Sequence, residues 1–175
     1  EVNASLSAPQ MLCTSEAGLQ GAIPIAEKQR RKQSGMAPAW RLRTMAAVEE
    51  VGQLTWRDAG RGRDMAIDIT SFKDVVIARK DIATSYHLSV VIDDAMDDIT
   101  LVTRAEDLRA STHLHRLLQE LLGLGTPDYL HHQIITDTHG RRLAKRNKAT
   151  SIAALRRDGH TPDAVLSMLP KLKYS

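Results

Sequence analysis

The sequence predicts an α/β fold with a parallel-sheet layer, and three observations carry that prediction. From Lys73 onward, strand-like and helix-like patterns alternate, the order that lays strands side by side with helical crossovers. A hydrophobic content of 42% against 26% charge, over 175 residues, suits one ordinary globular domain or slightly more. Finally, the cationic stretch THGRRLAKRNKATS, residues 138–151, follows a strand pattern, where a parallel sheet presents its loops to a ligand.

Residues 1–70 have mixed character, with Pro and Gly breaks and no internal repeat. AEKQRRKQSG reads as a short helix ended by Gly35, and VGQLTW and DMAIDIT read as short strands. KDVVIARK predicts a buried strand, and TSYHLSVVIDD, rich in β-branched residues, predicts a second. A tight turn through AMDD leads to a third strand, ITLVTR. In STHLHRLLQELLG, leucines at 114, 117, 118, 121 and 122 recur at helical spacing; Ser111 or Thr112 is the expected cap and Gly123 the stop. HHQIITD predicts a further strand. After the basic loop, Thr150 or Ser151 caps a helix through SIAALRRDG, and Thr161-Pro162 opens the last one.

With six aromatic residues, the core must be built from aliphatic side chains and Met. A single cysteine, Cys13, excludes a disulfide framework and points to the reducing cytoplasm. No signal-type run or eighteen-residue apolar span is visible, which predicts a soluble chain without a membrane partner, and a start at Glu1 suggests a piece of a longer polypeptide. Charge is segregated: 141–160 holds seven Lys or Arg against Asp158, and 27–43 holds six against Glu27. With a formal net charge of only +3, the rest of the chain is acidic, so two basic patches on an acidic body suggest an anionic partner such as nucleotide or nucleic-acid phosphates. Solvated helix faces are the plainer alternative, more easily for the first patch than for the second.

Three separated segments then agree with one another: ARKDIATSYHLSVVIDDAMDDITLVTRAEDLRAST (78–112), LLGLGTPDYLHH (121–132) and DTHGRRLAKRN (137–147). Together the run from Ala78 to Leu169 resembles the second half of the catalytic domain of class I aminoacyl-tRNA synthetases of the glutamyl type. The resemblance implies a Rossmann-type nucleotide-binding domain over 71–148, preceded at 1–70 by the tail of an inserted α+β domain facing the RNA. A short helical segment, 149–175, would follow, without an anticodon-binding domain.

The resemblance also implies a site. Arg142, Leu143, Ala144, Lys145 and Arg146 fall on the family's KMSKS-type ATP-binding loop. Lys145 takes the catalytic position, stabilising charge on the α-phosphate of ATP; adenylyl transfer depends chiefly on such positioned positive charge. Leu143 is expected to pack the loop against the domain. Arg142 and Ala144 depart from the usual lysine and serine, the first keeping the charge and the second losing a hydroxyl. Tyr86 and Arg104 fall on glutamate-pocket positions, where a guanidinium grips a carboxylate and a phenol adds a directed hydrogen bond. The resemblance also implies that Tyr86 lies on a strand followed by paired aspartates, Asp93 and Asp94, for which a metal role is a minor reading.

Other residues carry less. Glu106 and Asp107 are expected to support the site or cap the helix that begins at Ala110. One of His131 and His132 is a candidate neighbour of ATP. His113 and His115, two apart on a helix, make poor co-ligands of a metal. Trp40 in the basic segment is expected to pack rather than stack on a base. ATP with Mg2+ is the implied cosubstrate, glutamate and tRNA are the implied partners, zinc is not expected, and a monomer is. A His-x-Gly-His-like element is not found in these residues and is expected upstream. The stop thirty residues beyond Lys145, at Ser175, suits the family's shortened branch, which activates glutamate with ATP and attaches it to the queuosine base of tRNA(Asp). A fragment of an enzyme charging the tRNA 3′ end and a non-catalytic RNA-binding paralogue are the alternatives.

Overall fold

The computed structural model describes residues 24–35, 37–137, 139–143, 150–170 and 174. Expectations for Cys13, Ala144, Lys145 and Arg146 lie outside them. The described residues form two compact units: 24–56, 66–99 and 111–126 in one, and 57–65, 100–110 and those from 127 onward in the other.

The first unit contains α1 (Ile25–Gln33), β1 (Trp40–Leu42), α2 (Thr44–Val51), β4 (Val75–Ala78), α3 (Tyr86–Met96) and most of α4 (Arg109–Leu122). The strands β1 and β4 pair antiparallel, with Leu42 opposite Val75. Its core comprises Ala47, Leu54, Ile69, Phe72, Val75, Val91, Leu114, Leu117 and Leu118, so α2, α3 and α4 each give one face to it. In α4 the buried Leu114, Leu117 and Leu118 follow the predicted helical spacing. Gly123 has φ +65, and the Leu124 amide donates to the Gln119 carbonyl, closing the helix as its sequence signal indicated. Ser111 and Thr112 are not its cap: α4 begins at Arg109, and both side chains are buried inside it.

The largest departure is TSYHLSVVIDD, which is the helix α3 and not a strand. Ser85 accepts a hydrogen bond from the Leu88 amide at 3.4 Å and starts the helix, while His87 and Val91, four apart, turn inward. Burial of that face outweighs the strand preference of the short Val90-Val91-Ile92 run. Asp93 and Asp94 therefore end a helix. The Ile99 amide closes it on the Asp94 carbonyl at 2.9 Å, with Asp98 left-handed at φ 51. Trp40 also departs from expectation: it stands 63% exposed at the start of β1, where the pairing register with β4 breaks between Trp40 and Arg41.

The second unit contains β5 (Leu101–Ala105), β6 (Asp128–His132) and parts of β2 (Thr55–Asp58) and β3 (Arg63–Ala66), which form a four-stranded sheet in the order β3-β2-β6-β5. β6 lies parallel to β5, with Arg104 opposite His131, and parallel to β2, with Asp58 opposite Tyr129. The predicted HHQIITD strand (131–137) thus begins three residues earlier, at Asp128, and ends five residues earlier, at His132. The inward residues of β6 are Tyr129 and His131, and an inward histidine hides the alternation that marks a strand. The VGQLTW and DMAIDIT patterns are trimmed similarly: Val51 still belongs to α2, Gly52 turns at φ 74, and beyond Ala66 the chain leaves the strand. Past the basic loop, Ser151 and Thr161 cap α5 (Ile152–Arg157) and α6 (Pro162–Ser167) as their sequences signal. Among the described residues no helix is long and apolar enough to cross a membrane.

Candidate functional site

Chemistry-bearing side chains of the second unit gather at the carboxyl ends of the parallel strands. Arg104 is the fourth residue of β5 and His131 the fourth of β6, and because the strands run parallel, their register puts the two side chains together. Arg104 is 8% exposed, and its Nε donates toward His131 Nε2 at 3.5 Å. Tyr129, two residues before His131 on the same face, lies under the guanidinium, with Arg104 Cζ 4.9 Å from the ring centroid. The Tyr129 and His131 rings stack at 6.4 Å and 12°. A planar cation over an aromatic face gains electrostatic attraction without losing its forked donors.

Beside this stack lies a buried ion pair that the sequence reading missed. Asp58, the last residue of β2, is fully buried; its Oδ2 accepts from Arg109 Nη1 at 2.6 Å and its Oδ1 from the Arg61 amide at 3.0 Å. Burial by itself would raise its pKa. The Arg109 and Arg61 hydrogen bonds, with the charges of Arg109 and His131, outweigh that and hold the carboxyl below the usual aspartate range. A signal was available, because Leu54, Trp56 and Asp58 alternate along the chain and all three are buried. An acid at the third inward position of such a run demands a cation.

The chain beyond β6 prepares the basic loop. Asp137 Oδ1 accepts from the amides of Arg141 and His139, both at 2.9 Å, and its Oδ2 from Arg141 Nε at 2.9 Å. Those bonds, led by the Arg141 amide, outweigh burial and lower the Asp137 pKa. Gly140, at φ +73, makes the turn. Arg142 bridges Thr136, and the Leu143 amide donates to the Ile135 carbonyl at 3.0 Å. The Leu143 side chain is 49% exposed, so its backbone and not its apolar packing holds this end of the loop. Arg142 Nη1 forms an ion pair with Asp107, in the 3-10 turn Glu106–Leu108 that follows β5. Glu106 and Asp107 stand in this turn directly before α4, which starts at Arg109, and Asp107 pairs with Arg142.

Of the expected site residues, Arg104, Arg142 and Leu143 belong to this unit. Tyr86 belongs to the first, half-buried at the start of α3, with its ring 5.3 Å from His87 and 5.9 Å from His115. His115 bonds His87 at 3.0 Å, whereas His113 Nδ1 accepts from the Asp68 amide at 2.9 Å, so these two histidines diverge as their spacing requires. His131 is wholly buried beneath Arg104, which makes it a support for the guanidinium and not an open contact for ATP. Among the described residues, no three His, Cys, Asp or Glu side chains gather as a metal site.

The sequence model of the family described as tRNA synthetases class I (E and Q), catalytic domain, matches residues 20–175. The glutamyl-Q tRNA(Asp) synthetase of Rhodobacter capsulatus is 46% identical over 127 residues, covering 71% of this chain and 46% of that protein. The Nocardia farcinica protein of the same name is 36% identical over 168 residues, covering 91% of this chain and 51% of its own. A glutamate–tRNA ligase of a Synechococcus species is 38% identical over 133 residues, 73% of this chain and 28% of that one. The crystal structure of a glutamate-tRNA synthetase from Elizabethkingia anophelis superposes with a TM-score of 0.61 at 25% identity, covering 83% of this chain and 32% of the other. The chain thus spans about half the length of these glutamyl-Q relatives, and about a third or less of the glutamate–tRNA ligase proteins.

Proposed function

Because the chain belongs to the class I tRNA synthetase (E and Q) catalytic-domain family, we propose that it forms part of a ligase that activates glutamate with ATP and passes it to the queuosine base of tRNA(Asp). In the first step, a carboxylate oxygen of glutamate attacks the α-phosphorus of ATP, the bond to the bridging oxygen breaks, and pyrophosphate leaves. In the second, the nucleic-acid acceptor attacks the acyl carbon of glutamyl-adenylate and AMP leaves. The observation that carries the reading is the buried Arg104 guanidinium at the carboxyl ends of parallel strands, with a basic loop launched from the next strand of the sheet. Arg104 and Tyr86 are assigned to glutamate, and Lys145 with its neighbours Ala144 and Arg146 to the phosphates of ATP. Mg2+ would accompany ATP, bound largely by the phosphates and water, as is usual for this ion.

The choice of queuosine follows the Rhodobacter and Nocardia relatives. Charging of a tRNA 3′ end is the second reading, favoured by a glutamate–tRNA ligase of Desulfitobacterium hafniense that aligns with 87% of this chain at 32% identity. Glutamate-dependent ATP–pyrophosphate exchange by the full-length gene product separates them. Exchange without tRNA is the expected result, and exchange only after tRNA is added would move the assignment to 3′-end charging. Silence under both conditions would leave a phosphate-binding paralogue without chemistry. Lys145→Ala should lower the exchange rate by at least about a hundredfold, the scale of removing a charge aimed at a transition state. An unchanged rate would sink the loop assignment.

A further inference from the structure

The first two cations of the basic loop are each engaged by a carboxylate of their own unit: Arg141 by Asp137 at 2.9 Å, and Arg142 by Asp107. The Arg142–Asp107 pair is half-buried, with side-chain exposures of 33% and 23%, so it is better sheltered from solvent than an ordinary surface ion pair. The backbone on both sides of Arg142 is also fixed, by the bridge to Thr136 and by the Leu143 amide on the Ile135 carbonyl. Asp107 lies three residues past Arg104, in the turn that leaves the carboxyl end of β5. The ion pair therefore joins the start of the loop to the strand that carries the buried guanidinium.

We propose that Arg142 is a tether and not a phosphate ligand, and that Asp107 is a positioning residue: the pair sets where the basic chain departs from the sheet. An arginine suits this task better than the lysine usual at that place, because its rigid fork of donors holds a carboxylate in one orientation, whereas an ammonium on a flexible stem does not. Phosphate binding is left to cations beyond Leu143. The inference rests on the reading that this loop serves adenylate formation.

The test uses the full-length gene product with Asp107→Asn, Arg142→Gln, both together, and the exchanged pair Asp107→Arg with Arg142→Asp. In ATP–pyrophosphate exchange, each single change should lower kcat about tenfold while KM for ATP moves less than about twofold, the signature of misplacement. The double variant should be no worse than either single, and the exchanged pair should regain much of the loss. A tenfold or larger rise in KM for ATP with Arg142→Gln, unmatched by Asp107→Asn, would instead make Arg142 a phosphate ligand and overturn the tether. Hydrogen exchange of the Leu143 amide supplies a readout independent of activity. It should quicken about tenfold in Asp107→Asn and Arg142→Gln alike, and no further in the double. If the unsubstituted protein shows no pyrophosphate exchange, the glutamate-activation reading fails. The tether then stands or falls on Leu143 alone, with unchanged protection in both single variants refuting it.

Discussion

Replacing Asp58 with asparagine removes the carboxylate held by Arg109 and the Arg61 amide, and leaves Arg109 without its buried counter-charge. A loss of about 3 kcal/mol in urea unfolding is expected, the scale of breaking a buried ion pair by deleting one partner. The same residue sets a pH dependence. Its folded pKa is lowered, so its stabilising contribution is complete above the unfolded value near ~3.9 and fades as pH falls through the folded value. Titrating stability from about pH 6 to about pH 3 in the parent and in Asp58→Asn isolates this contribution. The parent should lose more stability over the acid end than the variant, and parallel curves would show that Asp58 does not titrate with folding. Asp68 is also lowered, chiefly by the Thr70 hydroxyl and amide, but it persists in both proteins and cancels in the comparison. Asp58 illustrates what sequence conceals at this scale. Its place in the alternation is visible, whereas its partner Arg109 lies 51 positions away and is supplied only by the fold.

Elements were legible where a local signal and the tertiary demand agree. The leucines of α4, the Ser151 and Thr161 caps, and Gly35 and Gly123 as stops all act through neighbours in sequence. For α3 they disagree. Its β-branched run speaks for a strand, while Ser85 and the inward pair His87 and Val91 make a helix, and burial decides. For β6 the core-facing residues include a histidine whose inward direction depends on Arg104 in the neighbouring strand. The α4 helix offers a direct test of core packing. Leu117 is fully buried, so Leu117→Ala should cost about 3 kcal/mol in chemical denaturation, from lost transfer energy and the cavity left behind. A cost under about 1 kcal/mol would mean that the neighbouring side chains collapse into the space.

At the scale of the whole molecule, charge is the property most readable from composition and least readable as function. The excess cations of 27–43 and 141–160 are visible in the sequence, but part of that charge is already engaged. Glu27 accepts from both Arg30 and Arg31, Asp137 from Arg141, and Asp107 from Arg142. If tRNA is the partner, its affinity should fall as salt rises, with a linear slope of log K against log salt that counts released counterions. Filter binding across a potassium chloride series measures it, and a flat response would remove the phosphate backbone from the interaction. The slope should be smaller than the raw number of cations suggests, because cations already paired with carboxylates have less counterion to release. The candidate site was legible in the same uneven way. Arg104 and the basic loop stand out in sequence, but the stack beneath Arg104 and the anchoring of Arg142 need strands and turns that only folding brings together.

The parallel sheet also imposes an order in time. Strand β6, which lies between β2 and β5, is the last of the four in the chain: Asp58 meets its partner Tyr129, and Leu101 meets Asp128, only after the intervening segments exist. On the ribosome, β2 and β5 must therefore emerge with the edges that will face β6 unfilled, a period in which they invite pairing with other chains. A polypeptide released after Ala105 but before Asp128 would lack the middle of its sheet and not its rim, leaving β2 and β5 with nothing to join them.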